Sequence, residues 1–140
     1  MEVEVFVLCD AATESAGKLN ILGAFDTIFA PSLPVMHPQC AVAARVRLTA
    51  SEGEDHSLQV ILRNNSGKDI IPPLQSKFKT NFEIPDQPGR LNLVISIGAL
   101  KLEEYGIHYG QLEVDGKIIA QYPFFVSIPR NGIGTSIKKV

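Results

Sequence analysis

Tryptophan is absent from this sequence, and only two cysteines occur among its 140 residues. No apolar run approaches the roughly 18 residues of a membrane-spanning helix, so no membrane segment is expected. A secretory signal peptide is not expected either, because Glu2 and Glu4 stand where its basic region would be. These absences predict a cytoplasmic protein whose two cysteines are free thiols.

A strong charge of one sign is also missing. Thirteen basic and 15 acidic residues give a net charge of -2 at pH 7. Without a basic field, neither nucleic acid nor an anionic membrane is an expected partner. The hydrophobic fraction is 45% and the mean hydropathy is +0.11, which indicates either fully buried strands or a surface that is covered in a homo-oligomer.

Catalytic motifs are absent as well. The sequence has no Gly-x-Ser-x-Gly elbow, no phosphate-binding glycine-rich loop, no Cys-x-x-Cys and no His-Glu-x-x-His. The three histidines, His37, His56 and His108, lie in different segments. We therefore expect no enzyme and no cofactor, unless the fold brings these histidines together.

Apolar and polar residues alternate with a period of two along the sequence, and no helical periodicity is present. About eight or nine strands follow one another at near-regular spacing. This pattern predicts an all-β fold, a two-layer antiparallel β-sandwich with little or no helix. We expect one domain over residues 1–127, with 128–140 as a C-terminal tail or a late edge strand.

The clearest pattern runs from Gly106 to Val126. Even-numbered positions are apolar on both sides of Asp115-Gly116, a dipeptide typical of hairpin turns. A two-residue loop would pair even positions with odd ones. The parity therefore predicts a three-residue loop from Val114 to Gly116, with Gly116 left-handed and Glu113 facing Lys117.

Earlier segments are interpreted in the same way. Val3 to Cys9 is a strand with its odd positions inward, and Ala11 to Gly17 is a loop. The segment from Lys18 to Phe29 is apolar on both faces, which predicts a central strand, and Gly23 within it indicates a bulge or a close backbone approach. Further predicted strands are Cys40 to Thr49, Leu58 to Leu62, Lys77 to Ile84 and Leu91 to Leu102.

The front of the chain resembles a known family. Cys9-Asp10, the run GKLNILGAFDTI from Gly17 to Ile28, Pro34, Arg45 and His56 are similar to the pattern of a small bacterial family of unknown function. The resemblance covers residues 1 to about 127 and includes the final hairpin. It implies an all-β domain and no particular activity.

The final hairpin also resembles the end of an immunoglobulin-like sandwich. In such domains an aromatic residue follows a corner like the one before Gly106, where this chain has His108. The tryptophan and the cysteine pair of antibody-type domains are missing, so the resemblance is one of architecture alone.

Two groups of residues are candidates for a metal site. His37, Cys40 and Cys9 have usable ligand spacing but no fourth ligand for zinc, and buried thiols are the favoured interpretation. The acidic run also offers oxygen ligands for Ca²⁺, but a solvated turn is favoured because the spacing of a calcium loop is missing; its members are Glu52, Glu54, Asp55 and His56.

Other residues are candidates for binding. Asp26 shares an apolar strand face and needs a partner such as Arg45 or Lys18, unless it lies at an exposed strand end. Arg45 and Arg47 share an outward face, which suggests partner contacts or cross-strand ion pairs. Five aromatics near the final hairpin are expected to be mostly core, with an interface anchor as the alternative; they are Tyr105, Tyr109, Tyr122, Phe124 and Phe125.

Two hypotheses about function follow. The first is a non-enzymatic sandwich that acts through contacts with another protein or with itself. The second is a metal-dependent enzyme or small-ligand binder that uses His37, His56 or His108 with nearby carboxylates. The sequence favours the first, because no residue set in it amounts to a catalytic site.

Overall fold

The computed structural model describes residues 1–82, 84 and 86–130. The strands in this part of the chain are β1 (Glu2–Ser15), β2 (Lys18–Phe25), β3 (Thr27–Phe29), β4 (Val35–His37), β5 (Cys40–Leu48), β6 (Asp55–Arg63), β7 (Leu74–Lys79), β8 (Gly89–Ile97), β9 (Leu100–Leu102), β10 (Gly106–Val114) and β11 (Lys117–Ser127). Within the same residues the helical structure is one 3₁₀ turn, Ala50–Glu52. No described helix is long and apolar enough to cross a bilayer.

Two sheets form the sandwich. The first sheet has the strand order β2-β1-β5-β8, and the second has the order β3-β11-β10-β6-β7. A small ribbon of β4 and β9 lies beside them. Neighbours are antiparallel except β3, which runs parallel to β11. The predicted all-β sandwich is confirmed.

The core lies between the two sheets. From β5 the alternate residues point inward and are fully buried: Val42, Ala44, Val46 and Leu48. They pack with inward residues of the second sheet, among them Val60, Leu62, Leu112 and Phe124. Burying each large aliphatic or aromatic side chain contributes about 1.5–3 kcal/mol, so this interface is the main source of stability.

The first hairpin extends beyond its predicted end. The strand β1 continues past Asp10 to Ser15, and the turn is made by Ala16 and Gly17 with φ of 49° and 74°. The predicted loop from Ala11 to Gly17 is therefore wrong. Positive φ at both turn residues gives a two-residue turn a backbone twist that matches the twist of its flanking strands.

This hairpin folds back over the outer face of the first sheet. We name residues 11–22 the β1–β2 arm. At its tip the Gly17 carbonyl accepts hydrogen bonds from Asn92 Nδ2 (3.1 Å) and Arg45 Nη1 (3.4 Å). Arg45 and Asn92 are strand partners in β5 and β8, so the tip is attached to the middle of that face.

Beneath the β1–β2 arm is a second, smaller apolar cluster. Cys9, Ala41 and Ala43 are buried there, with Ala12 and Leu19 of the arm packed against them. The small alanine side chains of β5 allow the arm to approach closely. Strand β5 is therefore buried on both faces over its first half, where sequence alternation predicts one solvent face.

A bulge between Val3 and Val5 reverses the predicted parity of β1. After the bulge, Leu8 belongs to the main core and Cys9 to the cluster beneath the arm. The prediction that odd positions of this strand face the core is therefore correct for Val3 alone and wrong for Cys9.

The predicted central strand from Lys18 to Phe29 is two strands in different sheets. Strand β2 lies at the edge of the first sheet, where Leu22 is 70% exposed, and β3 lies at the edge of the second. Gly23 has a φ of 66°, and a Cβ there would overlap the Asp10 carboxylate. The expected close backbone approach at Gly23 is confirmed.

The last hairpin has the predicted position but a different register. Val114 pairs with Lys117 across a two-residue turn, Asp115 and Gly116, whose φ values are 52° and 79°. The extra residue is accommodated one step later, since the register shifts between Leu112 and Glu113. The predicted three-residue loop and the pairing of Glu113 with Lys117 are wrong.

Two other predicted strands are shorter than expected. The strand predicted to reach Ile84 ends at Lys79, and the strand predicted over Leu91 to Leu102 is interrupted between Ile97 and Leu100. Residues 128–130 form no strand. The rest of the predicted tail or late edge strand, 131–140, lies outside the described residues.

Candidate functional site

The two cysteines are buried thiols, as favoured. The Cys9 Sγ donates to the Ala41 carbonyl at 3.6 Å, while Cys40 faces the main core. Burial raises the pKa of Cys9, and burial together with the neighbouring Cys9 and Asp10 raises the pKa of Cys40 to about 11. Both thiols therefore stay protonated and are poor nucleophiles and poor metal ligands near neutral pH.

His37 is occupied by an aromatic neighbour. Its ring lies 5.3 Å from the ring of Phe25, and burial lowers its pKa despite the nearby Asp10. Among the described residues, no three or more His, Cys, Asp and Glu side chains are placed to hold a metal ion. The structure therefore does not assemble His37, Cys40 and Cys9 into a metal centre.

The acidic run is divided among structural contacts. Glu52 closes the 3₁₀ turn by accepting from the Thr49 amide at 2.9 Å, and it pairs with the Met1 amine at 2.8 Å. The hydrogen bond from this amine, with that from Thr49, lowers the pKa of Glu52 to about 2. Glu54 lies 3.5 Å from Lys79, and Asp55 is an exposed residue at the start of β6.

His56 departs from the solvated turn that the sequence suggests. Its side chain is only 2% exposed, and Nδ1 lies 2.7 Å from Oδ2 of Asp115 in the β10–β11 turn. The other oxygen of Asp115 accepts from the Ser57 amide at 3.0 Å. The ring also stacks on Phe78 at 5.2 Å. A buried ring held by a carboxylate thus fastens the last hairpin to the start of β6.

This pair has the form of an acid–histidine dyad but not its chemistry. In a serine-type site the carboxylate orients the ring, and the second ring nitrogen takes a proton from the nucleophile. Here that nitrogen, Nε2, faces the Gly53 carbonyl at 3.0 Å. Ser57, the next residue in the strand, points to the opposite face of the sheet. His56 is therefore placed for structure and not for proton transfer.

His108 lies far from His56. Its ring is fully buried beside Phe124 at 5.1 Å, and Nδ1 contacts the Gly106 carbonyl at 3.0 Å. Val114 is six positions farther along β10, a distance of about 20 Å along a strand. The alternative hypothesis of a site built jointly from the histidines therefore has no geometric basis among the described residues.

Asp26 is an exposed bend between β2 and β3. Its carboxylate accepts a hydrogen bond from Thr27 Oγ1 at 2.9 Å, and its carbonyl accepts one from the Phe125 amide at 2.7 Å. Neither Arg45 nor Lys18 contacts it among the described residues. The interpretation as an exposed strand end is confirmed, and the expected ion pair is wrong.

Arg45 and Arg47 share one carboxylate. Glu4, the extra residue of the β1 bulge, lies 3.4 Å from Arg45 Nε and 3.0 Å from Arg47 Nη2. Arg45 also donates to Asn92 at 3.0 Å. The cross-strand ion pairs that the sequence suggests for these arginines are confirmed.

The aromatic residues divide between core and surface. Phe124 is core, and the hydroxyls of Tyr105 and Tyr122 donate to backbone carbonyls at 2.8 Å and 2.6 Å. Tyr109 and Phe125 instead lie on the outer face of the second sheet, 37% and 39% exposed. Tyr105 is also 37% exposed, so the core interpretation is wrong for Tyr105, Tyr109 and Phe125, and the interface alternative stays a prediction.

Two structural features have no counterpart in the sequence reasoning. Nothing in the sequence pairs Asp115 with His56, although an aspartate in a tight turn beside a buried histidine is a recognisable signal once the strand order is known. The β1–β2 arm is signalled only by the small residues of β5 at Ala41 and Ala43.

Comparison with known proteins adds little about activity. No curated protein matches the chain. A solved structure of Pseudomonas fluorescens alkylpurine DNA glycosylase AlkC, bound to DNA containing an abasic site analog, aligns over 90% of this chain with a TM-score of 0.46 and 8% identity. The aligned part spans 30% of that chain, and we draw no function from a likeness at this level.

A family profile matches much more of the sequence. The Family of unknown function (DUF6941) matches residues 4–127, from the first strand to the last residue of β11. The resemblance to a small all-β family of unknown function is thereby confirmed. The chain belongs to this family, DUF6941.

Proposed function

We propose that this protein acts by contact between protein chains, without catalysis, and that the outer face of the second sheet is its contact surface. Tyr109 and Phe125 support the proposal, because aromatic side chains left on the face of a sheet are typical interface anchors. Their strand partners on this face are Pro123 and Ile107, so the four form one apolar block, which we name the aromatic block.

The charges nearest to the aromatic block are paired or lie at its margin. Arg63 of β6, the strand partner of Tyr109, is 2.9 Å from Asp69, and Glu113 lies two positions beyond Gln111 on β10. The next pair on this face is Gln111 with Gln121, and the neighbouring β3 adds Thr27 and the exposed Phe29. Interfaces place such uncharged aromatic groups at their centre, where desolvation costs least.

A second copy of this chain is the occupant that fits best. In a twofold dimer the same patch meets itself, so a charged patch would repel and a neutral one does not. The five strands are spaced about 4.8 Å apart; β6, β10 and β11 are about 30 Å long or longer, whereas β3 and β7 are shorter, so the face measures at most roughly 20 Å by 30 Å. That size is comparable with the ~800 Å² per partner of a standard interface.

The test is the molar mass in solution, measured by light scattering and sedimentation equilibrium. We expect a dimer for the native chain and a monomer for the double variant Tyr109→Ser/Phe125→Ser. Leu22→Ser is the matched control, because Leu22 is an exposed apolar residue of the first sheet and its loss should leave the dimer intact. Thermal unfolding of each variant establishes that it is folded.

Two outcomes would overturn the proposal. One is a native chain that stays monomeric at millimolar concentration, which would leave a different protein as the only candidate partner. The other is a folded Tyr109→Ser/Phe125→Ser variant that remains a dimer, which would place self-association on another surface.

A further inference from the structure

Two arginines face each other on the outer face of the first sheet. Arg47 in β5 and Arg90 in β8 are directly paired residues, so their side chains extend from the same face. Like charges at directly opposed positions of an antiparallel pair are unfavourable unless something neutralises them.

The described residues neutralise the positive charges of Arg47 and Arg90 only in part. The Glu4 carboxylate is shared between Arg45 and Arg47, and its contact with Arg47 uses only Nη2. The Nε of Arg47 is buried and has no hydrogen-bond acceptor among those residues. Arg90 forms no ion pair or hydrogen bond with any part of the chain that the structure describes.

Beside Arg90 there is room for a ligand. An open depression of about 550 Å³ lies between β8 and the tip of the β1–β2 arm, lined by Arg90 with Glu14, Gly17, Leu91, Asn92 and Val94. The Glu14 carboxylate in this depression accepts the Gly17 amide at 3.1 Å, and Asn92 is held by the Gly17 carbonyl. Arg90 thus has no partner among the described residues, and its side chain borders an accessible space. Arg47 is paired with Arg90 in the sheet but does not itself line the depression.

We propose that Arg47 and Arg90 form a clamp for a tetrahedral oxyanion, either a free phosphate or sulfate or the phosphate of a small ester. Guanidinium groups offer several N–H donors in a fixed plane, which match oxyanions by paired hydrogen bonds. An anion between the two side chains relieves their repulsion and supplies an acceptor for the donors of Arg90. The site is too small and too isolated to bind a nucleic acid backbone, which requires many phosphate contacts.

Glu4 gives the proposal a distinctive consequence. Its carboxylate competes with any bound anion for the guanidinium of Arg47. Removing that charge should strengthen anion binding, whereas removing Arg90 should weaken it. Glu2, the strand partner of Arg47 on its other side, forms no ion pair with it among the described residues.

The experiment is a titration of the full chain with inorganic phosphate, inorganic sulfate and phenyl phosphate, followed by NMR at constant ionic strength. We expect saturable shifts that include the Arg47 and Arg90 side chains. In Arg90→Gln and Arg47→Gln the dissociation constant should rise by at least about fivefold, because one of two charged donors is lost. In Glu4→Gln it should fall by about twofold or more, because a competing charge is removed.

Matched controls separate a site from a general charge effect. Arg63→Gln is the control for the two arginine variants, because it removes one positive charge from an arginine that is paired with Asp69 in the second sheet. Glu103→Gln is the control for Glu4→Gln, because it removes one negative charge from an acid that is paired with Lys101. Both should leave the dissociation constant unchanged. Equal weakening in Arg63→Gln, or no saturable shift in the native chain, would overturn the clamp. Tighter binding of phenyl phosphate than of phosphate would identify an ester as the natural ligand, and equal binding would identify the free anion.

Discussion

The Asp115 carboxylate lies 2.7 Å from Nδ1 of His56, although 59 positions separate the two residues. The other ring nitrogen of His56 is 3.0 Å from the Gly53 carbonyl, so both nitrogens face acceptors. A protonated ring donates to both at once, whereas a neutral ring has only one N–H to offer. The hydrogen bond raises the pKa of His56 and lowers the pKa of Asp115.

The first prediction concerns pH. Stability from His56 is complete below its ordinary pKa of 6.5 and is lost as the pH rises through its raised folded value. Stability from Asp115 is complete above its ordinary pKa of 3.8 and is lost as the pH falls through its lowered folded value. The pair should therefore stabilise the fold most between these two ordinary pKa values.

Asp115→Asn isolates this effect, because asparagine tolerates the positive φ of the turn. We expect the variant to lose about 1–2 kcal/mol of unfolding free energy in that window, since Asp115 is half exposed and the charged hydrogen bond is partly screened. Denaturant unfolding at a series of pH values measures the difference. Burial lowers the pKa of His37, so its contribution to stability changes with pH in the opposite direction to that of His56. Because His37 is present in both proteins, its contribution cancels in the difference between them. A difference that stays constant into the alkaline range would contradict the prediction.

The second prediction concerns Glu52. Its pKa is lowered to about 2 by the hydrogen bond from the Met1 amine and that from Thr49, so its contribution is present above 4.5 and is lost as the pH falls towards 2. Glu52→Gln should cost about 1 kcal/mol at neutral pH, a typical value for a lost cap. The control Glu54→Gln removes only an exposed pair with Lys79 and should cost under about 0.5 kcal/mol. Equal costs in the two variants would count against the assigned role of Glu52.

The third prediction concerns Gly23. Gly23→Ala introduces both left-handed strain and an overlap with Asp10, whereas Gly17→Ala introduces strain alone, because its Cβ would have open space around it. We expect a cost of about 1 kcal/mol for Gly17→Ala and a clearly larger one for Gly23→Ala. Thermal unfolding compares them. In the background of Asp10→Ala the extra cost should disappear, and its persistence would refute the steric explanation.

The fourth prediction concerns the packing beneath the β1–β2 arm. Ala43→Val adds volume to a fully buried position between β5 and the arm, and we expect a loss of about 1–3 kcal/mol from overpacking. Ala24→Val makes the same change on exposed β2 and should be neutral within about 0.5 kcal/mol. Denaturant unfolding compares the two variants. If Ala43→Val unfolds like the native chain, the arm is not closely packed on β5.

The last hairpin illustrates how much of the fold the sequence reveals. Apolar parity on both sides of Asp115-Gly116 requires one extra residue, and the structure contains it. The pattern shows that the hairpin contains one extra residue but not where that residue lies. A three-residue loop and a two-residue turn with a bulge at Ile119 both satisfy it. The favoured φ values of Asp-Gly decide for the second.

Strand β2 illustrates what the sequence does not reveal. Apolar residues on both faces predict a central strand, yet β2 is an edge because the chain leaves the first sheet at Asp26 to form β3. Contacts such as His56 with Asp115 and the arm tip with Arg45 depend on strand order, which local patterns do not encode. Alternation within β6 concerns local burial alone, and there the inward residues are buried as predicted. In β5 the inward residues are also buried as predicted, but the arm covers the outer face of its first half, which local alternation does not reveal.

The two thiols lie on opposite faces of one strand pair, Cys9 beneath the β1–β2 arm and Cys40 in the main core. An alkylating reagent therefore reaches each sulfur through a separate opening event. Modification of Cys9 alone would report transient lifting of residues 11–22 from an otherwise intact protein, and modification of Cys40 would report separation of the layers. The chain thus carries two native chemical probes that distinguish partial from global opening.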